Sequence, residues 1–456
     1  MFIDYLPMWM LATLFVLLFS GLPIAFVLGG VSLLFAAIGV QAGMLVPIQL
    51  YNIVPRVFGG IAADVVLVAV PMFILMGSIL AKSGIAEDLL YCLQVLLRRV
   101  PGGLTMSVTI MGTVLAATTG IVGASIVLLS LIALPTMLAA SYSKELSTGT
   151  IAAAGCLGVL IPPSIMLVVM AEILQVPTGT LFLAAFFPGL LLSALYFSYN
   201  FLLCAWRPHL APPLPESDAT PTGLNLVRLI FRAFVPVLLL VGAVLGSIYA
   251  GWATPTEAAG VGCIGALALA AWNRRLRGDT MTEAIRSTIL TNAMVFMIFI
   301  GATAFSYIFR ALGGDDFIIG LFKDLGLGSW GILWVLMALV FVLGIPFEWP
   351  EISLIILPVF YPVLQTLDFS GHLMSQMEVL PWITILIAVN LQTSFLTPPY
   401  GFALFYLKGT VPREVSMGHI YRGVVPFVCL QLIGLGLCIA FPSIVLYLPR
   451  SAGFVS

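Results

Sequence analysis

Apolar stretches long enough to cross a bilayer recur along this chain, and nothing else in the sequence limits its fold as strongly. A spanning helix needs roughly 17–25 apolar residues, and such runs follow one another through most of the 456 residues. With 61% hydrophobic and only 8% charged residues, the chain has too little charge to cover a water-facing surface of that size. In hydrocarbon every backbone polar group must be satisfied internally, and the runs have helix length rather than strand length. The fold class expected is an all-α membrane protein.

About ten crossings are expected, at 5–20, 23–40, 65–82, 146–176, 181–206, 229–250, 255–272, 288–310, 381–408 and 422–447. Asp4 precedes the first apolar run and no basic stretch does, so the N-terminus reads as a membrane helix rather than a cleaved signal. Two more segments, 103–140 and 328–365, are apolar but broken, the first from Thr118-Thr119-Gly120 to Gly123 and the second from Gly344-Ile345-Pro346 to Pro350. Their halves are short for a span, so both read as re-entrant helical hairpins, which are tolerated where they are buried in protein or line a cavity. Segment 84–100 alternates apolar Ile85, Leu89 and Leu93 with Glu87, Asp88 and Arg98. That pattern reads as an amphipathic arm lying at the membrane surface.

A proline-rich polar segment, 207–228, divides the chain into related halves, 1–206 and 229–456. Leu160-Ile161-Pro162-Pro163 returns as Leu396-Thr397-Pro398-Pro399, and Pro23 and Gly30 return as Pro255 and Gly262 at nearly the same offset. With the N-terminus outside, 14 of the 18 Lys+Arg fall on the cytoplasmic side, leaving Arg56, Arg310, Lys323 and Arg450 outside. The first hairpin then opens to the cytoplasm and the second to the exterior, so the repeats are inverted, a plan common among secondary transporters. Units 103–176 and 328–408 are expected to move against a scaffold of 5–40, 181–206, 229–272 and 422–447.

The two Pro-Pro sites are the most informative motifs. Proline removes a backbone donor and ends a helix. The runs Gly155 to Ser164 and Asn390 to Pro399 therefore read as crossings that unwind near mid-membrane. Freed carbonyls suit a cation there, and the next half-helix offers N–H groups to an anion. A simple proline kink is the plainer reading of either site alone; recurrence after each hairpin favours the functional one. Hydroxyls and permissive backbone at Thr118, Thr119, Gly120, Gly123 and Ser125 mark one hairpin tip, and Glu348 and Trp349 the other. An intramembrane carboxylate is a functional candidate, although Glu348 has the alternatives of snorkelling outward or pairing with Arg310, and Glu351 shares them.

Thr254-Pro255-Thr256-Glu257 reads as a structural capping box. Glu172 and His372 read as solvated. The near balance of 18 Lys+Arg and 19 Asp+Glu argues against nucleic acid. The six scattered cysteines and three histidines form no metal or disulfide pattern, and no nucleophile set or phosphate-cradling GxxxxGK[ST] occurs. The chain does not read as an enzyme.

The stretches Ala117 to Ala124, Gly158 to Ser164, Ala253 to Ala259 and Asn390 to Tyr406 resemble the large membrane subunit of tripartite ATP-independent periplasmic (TRAP) transporters, closest to its longer-looped branch, over essentially the whole chain. The resemblance implies an elevator-type, sodium-coupled transporter in a bacterial inner membrane. It implies two partners, a small four-helix membrane subunit and a periplasmic substrate-binding protein that delivers an organic acid, with Na+ as coupling ion and no cofactor. By this likeness sodium would be held by Thr118, Thr119, Gly120, Gly155, Gly158 and Pro162 at one site, and by Glu348, Trp349, Gln392, Thr393, Leu396 and Thr397 at the other. Ser125, Ser164, Ser394 and Pro399 are the expected substrate contacts. The sequence departs from the family at Glu348, where similar sequences usually carry Asp. A standalone ion-coupled carrier is the alternative.

Overall fold

Prolines and glycines punctuate an otherwise continuous series of apolar helices. The computed structural model describes residues 5–119, 122–213, 224–324 and 326–455, with backbone only at 116–119 and Lys323. Gly120 and residues 214–223 of the expected linker lie outside the described residues, as do the side chains of Thr118 and Thr119. Every regular element among the described residues is helical. The first half contains α1 (Leu6–Leu18), α2 (Ile24–Gln41), α3 (Ala69–Lys82), α4 (Ile85–Leu97), α5 (Gly103–Thr119), α6 (Val122–Ala139), α7 (Lys144–Cys156), α8 (Ile165–Leu174) and α9 (Thr178–Trp206). The second contains α10 (Leu224–Tyr249), α11 (Pro255–Trp272), α12 (Gly278–Ala311), α13 (Gly314–Asp324), α14 (Ser329–Gly344), α15 (Trp349–Leu364), α16 (Val379–Leu396), α17 (Phe402–Thr410), α18 (Met417–Ala440) and α19 (Ser443–Ser451).

Among the described residues, eight helices are long and apolar enough to span, or up to nine when the bent pair α3–α4 counts as one. The expected crossings 146–176 and 381–408 are indeed interrupted, as α7/α8 and α16/α17. Both broken segments form helix pairs, α5/α6 and α14/α15, although α6 with 18 residues matches the length of a span by itself. Helix α12 has 34 residues, about 51 Å at 1.5 Å per residue, so it extends well beyond the expected crossing 288–310. Helix α10 begins at Leu224 rather than at 229, which takes Arg228 out of the linker and into the helix.

Local chemistry accounts for several boundaries. Thr254 and Glu257 form the expected capping box, with Thr254 N–H donating to Glu257 Oε2 at 2.8 Å and Glu257 N–H donating to Thr254 Oγ1 at 3.3 Å. Helices α3 and α4 meet at 61° across Gly84, whose φ of 65° suits a residue without a Cβ. Helix α4 is the expected amphipathic arm. A second arm, α13, which the sequence pattern does not announce, follows Gly313 with φ 85°. Both arms open with paired acids, Glu87 and Asp88 in one and Asp315 and Asp316 in the other.

Two groups of tightly packed helices can be traced. In one, α12 lies so close to α2 that a Cβ on Gly301 would stand 2.6 Å from the Ala25 carbonyl, and Gly262 of α11 faces Met76 of α3. The other group contains the hairpins and broken crossings. Helices α9 and α18 pack tightly against this second group. A Cβ on Gly149 of α7 would fall 2.1 Å from the Gly423 carbonyl of α18, and one on Gly423 would fall 2.1 Å from the Glu145 carbonyl. Backbone touches backbone there. Asn200 of α9 donates to Thr109 Oγ1 at 3.1 Å and accepts from Thr150 Oγ1 at 3.3 Å, joining α9 to α5 and α7. Trp382 Nε1 of α16 donates to the Cys438 carbonyl of α18 at 3.1 Å. Arg450 of α19 holds the buried Glu378 by two bonds of 2.6 and 2.9 Å.

Candidate functional site

The site is built where both helix breaks meet the hairpins. In the first break, α7 runs into a tight turn at Leu157–Val159, and the Pro162-Pro163 peptide is cis. Ser164 Oγ bonds to the Val159 carbonyl across the gap. In the second break, α16 ends at Leu396 and the Pro398-Pro399 peptide is again cis. The same device thus stands at matching positions of both repeats.

Glycines bring the hairpins against the breaks. A Cβ on Gly155 would lie 2.4 Å from Ile126 Cγ1 of α6, and one on Gly344 of α14 would lie 2.0 Å from Ser394 Oγ of α16. Each hairpin therefore backs onto the first half of its own broken crossing. The second halves cross over. Thr410 Oγ1 of α17 donates to Ser130 Oγ of α6 at 2.8 Å, and Tyr361 Oη of α15 donates to Gln175 Oε1, just beyond α8, at 3.2 Å. Each terminal half-helix thus lies beside the hairpin of the other repeat.

Tyr406 of α17 ties the two hairpin tips together. A Cβ on Gly123, at the first tip, would stand 2.5 Å from the Tyr406 ring, so the glycine lets that ring lie on the backbone. The Tyr406 hydroxyl donates to Glu348 Oε1, at the second tip, over 3.1 Å. In the sequence alone Tyr406 carries no mark of a site residue beyond its place at the end of the Asn390–Tyr406 run. Glu348 does not pair with Arg310, which instead meets Asp315 at 3.7 Å and donates to the Pro358 carbonyl at 3.3 Å. Glu348 is the N-cap residue of α15, and Glu351 at N3 is buried rather than snorkelled. Glu351 Oε2 is buried without a hydrogen-bond partner among the described residues.

The other named residues sort as follows. Gly155, Gly158, Pro162, Ser125, Ser164, Trp349, Gln392, Thr393, Ser394 and Leu396 are buried, while Pro399 is exposed, with its carbonyl accepting from Tyr421 Oη at 2.9 Å. Thr393 Oγ1 donates to the Val389 carbonyl at 3.2 Å and Thr397 Oγ1 to the Thr393 carbonyl at 2.8 Å. Each hydroxyl keeps free lone pairs after that donation. Gln392 is fully buried, and neither end of its amide is paired among the described residues, an arrangement that costs stability unless something else supplies partners. Nearby, a Cβ on Gly401 would lie 2.5 Å from the Phe395 carbonyl and 2.9 Å from that of Thr397, so backbone oxygens crowd the second break. These are hard oxygen donors of the kind a small cation takes. Glu172 is half-buried in a cavity beside Arg56 and Arg310, and Asp64 lies within hydrogen-bonding reach of it. His372 is packed between Trp330 and Trp382, with Nε2 2.7 Å from the Ile439 carbonyl. Neither is the freely solvated group expected from sequence.

Comparison with known proteins agrees with this architecture. The family model described as "Tripartite ATP-independent periplasmic transporter, DctM component" matches residues 11–444. The sialic acid TRAP transporter large permease protein SiaM of Vibrio cholerae is 28% identical over 95% of this chain and 96% of its own. The C4-dicarboxylate TRAP transporter large permease protein DctM of Pseudomonas aeruginosa is 27% identical over 85% of this chain and 87% of its own. Among solved structures, the Alcanivorax borkumensis YdaH transporter shares the fold, with a TM-score of 0.62 at 16% identity over 88% of this chain and 91% of its own. The relatives are permeases rather than enzymes. The chain belongs to the tripartite ATP-independent periplasmic transporter family as its DctM component, the large multi-pass membrane permease.

Proposed function

We propose that this chain carries an organic acid across the bacterial inner membrane in symport with Na+, on a body that slides as an elevator past a fixed scaffold. In this reading a periplasmic substrate-binding protein delivers the substrate, and a small four-helix membrane subunit completes the complex. The observation that carries it is the assembly of two helix breaks and two hairpin tips around Tyr406, lined by hydroxyls, an unpaired amide and backbone carbonyls. Proton-driven carriers place chains of ionisable groups inside the membrane; here oxygen donors without charge dominate. Relatives named for C4-dicarboxylates and sialic acid support an organic acid as substrate.

Close packing of α7 on α18 and of α9 on α5 supports a moving body that includes 178–206 and 417–440 along with the hairpins. Sodium is assigned to the two break regions, with Gly155, Gly158 and Pro162 at one and Gln392, Thr393, Leu396 and Thr397 at the other. Ser125, Ser164 and Ser394 are assigned to the substrate. One feature favours a second reading, proton coupling. Glu348 and Glu351 stand together at one tip, and neither forms an ion pair among the described residues.

Uptake by the reconstituted complex with its binding protein tests both readings. Sodium symport requires uptake under an inward sodium gradient, little uptake when a pH gradient replaces it, and weaker sodium dependence in Thr393→Val. Full uptake in sodium-free buffer driven by pH would overturn it in favour of the paired carboxylates.

A further inference from the structure

A polar cavity of about 320 Å³ lies at the bend between α3 and α4, lined by Lys82, Ser83, Glu87, Arg275, Arg277 and Thr280. The proposed transport path does not use it. Three cations face it against one acid. Arg275 is held by Asp88 at 3.0 Å and Glu87 at 3.5 Å, and Lys82 by Glu283 at 3.3 Å. Arg277 enters no ion pair among the described residues. The Arg275 guanidinium lies so close over Gly84 that a Cβ there would meet Nη1 at 1.8 Å, which fixes that cation at the rim. Arg277 is also the N-cap of α12 and its side chain makes no cap bond there, so backbone donors of that turn join the cationic side chains, with Asp279 the one acid of the turn.

Two neighbours fix the setting. Trp272 is 80% exposed and Leu276 45% exposed, beside the basic turn 274–277. An exposed tryptophan next to arginines on the positively charged side of a membrane protein marks the headgroup level. Anionic headgroups are drawn to such basic clusters at that depth.

We propose that this cavity binds a phosphate group, supplied by the headgroup of an anionic phospholipid of the cytoplasmic leaflet. Arg277 and Lys82 meet the phosphate charge, and Ser83 and Thr280 offer hydroxyl donors. Arg275 stays on the arm acids and shapes the wall. Since Lys82 ends α3 and Glu87 lies in the first turn of α4, an occupant spans the junction between a scaffold helix and its arm and holds their angle.

The test uses the full purified complex in nanodiscs. Phosphatidylglycerol is compared with phosphatidylcholine, and inorganic phosphate is added to the phosphatidylcholine discs. Lipid retention is read by native mass spectrometry and stability by thermal unfolding. Phosphatidylglycerol is expected to be retained in preference, about fivefold less by Arg277→Gln and about 25-fold less by Lys82→Gln/Arg277→Gln. Inorganic phosphate that stabilises the wild type but not Arg277→Gln would keep the phosphate site and make the soluble anion its source. Equal retention of both lipids with no response to phosphate would overturn the proposal. So would unchanged retention in the variants. Arg277→Lys keeps the charge and should restore binding, separating loss of the site from loss of the fold.

Discussion

Removing one hydroxyl tests whether the two hairpin tips act together. Tyr406→Phe deletes the 3.1 Å bond to Glu348 Oε1 but keeps the ring that lies on Gly123. A hydrogen bond to a charged group contributes about 1.5–3 kcal/mol when shielded. Tyr406 is 36% exposed, so solvent competes, and about 1–2 kcal/mol is the reasonable range. That corresponds to roughly a five- to thirtyfold change in an equilibrium. The assay is the sodium concentration for half-maximal uptake in proteoliposomes, measured for the wild type, Tyr406→Phe, Glu348→Gln and the double variant. If the hydroxyl acts through Glu348, the double variant resembles the worse single one, with a coupling energy of about 1 kcal/mol or more. Additive effects, or a Tyr406→Phe protein identical to the wild type, would refute the bridge.

Other expectations follow from packing and pairing. Gly423→Ala puts a methyl 2.1 Å from the Glu145 carbonyl and should cost about 1–3 kcal/mol or more in thermal unfolding, whereas Gly436→Ala in the same helix meets open space and should be neutral or slightly stabilising. Arg450→Ala strands the buried Glu378 carboxylate and should destabilise by about 3 kcal/mol; a loss under 0.5 kcal/mol would show that water replaces the guanidinium. Gln392→Leu removes an unpaired buried amide and should leave stability unchanged or raised while uptake falls, the opposite of what a structural amide would show.

Much of the fold was legible because hydrophobic length and proline position act locally. Pro162, Pro163, Pro398 and Pro399 announce both breaks, and Thr254 and Glu257 announce a helix start. What stayed hidden depends on partners far away in sequence. Gly149 and Gly423 read as ordinary glycines of apolar runs, although their contact brings α18 backbone to backbone with α7. The second arm was missed because Asp315 and Asp316 follow a long crossing and read as a loop. His372 read as solvated because the tryptophans around it come from residues 330 and 382. Tyr406 was invisible as a bridge, since one partner lies 58 residues away and the other on the opposite repeat.

The paired acids of the two arms bear on how such a protein is assayed. Arg275 with Asp88 and Glu87 ties one arm down, and Arg310 with Asp315 the other. Both pairs are part-exposed, at 42% with 37% and at 39% with 35%, so dissolved salt screens them. On the inverted topology read from the charge distribution, the arms lie at opposite faces and each tether feels the ionic strength of its own compartment. On that topology, raising external sodium chloride loosens the Arg310 tether while leaving the Arg275 tether unchanged. A sodium titration read as ion coupling has to be run at constant external ionic strength, with an inert cation replacing sodium, or the screening of one arm will be counted as cooperativity.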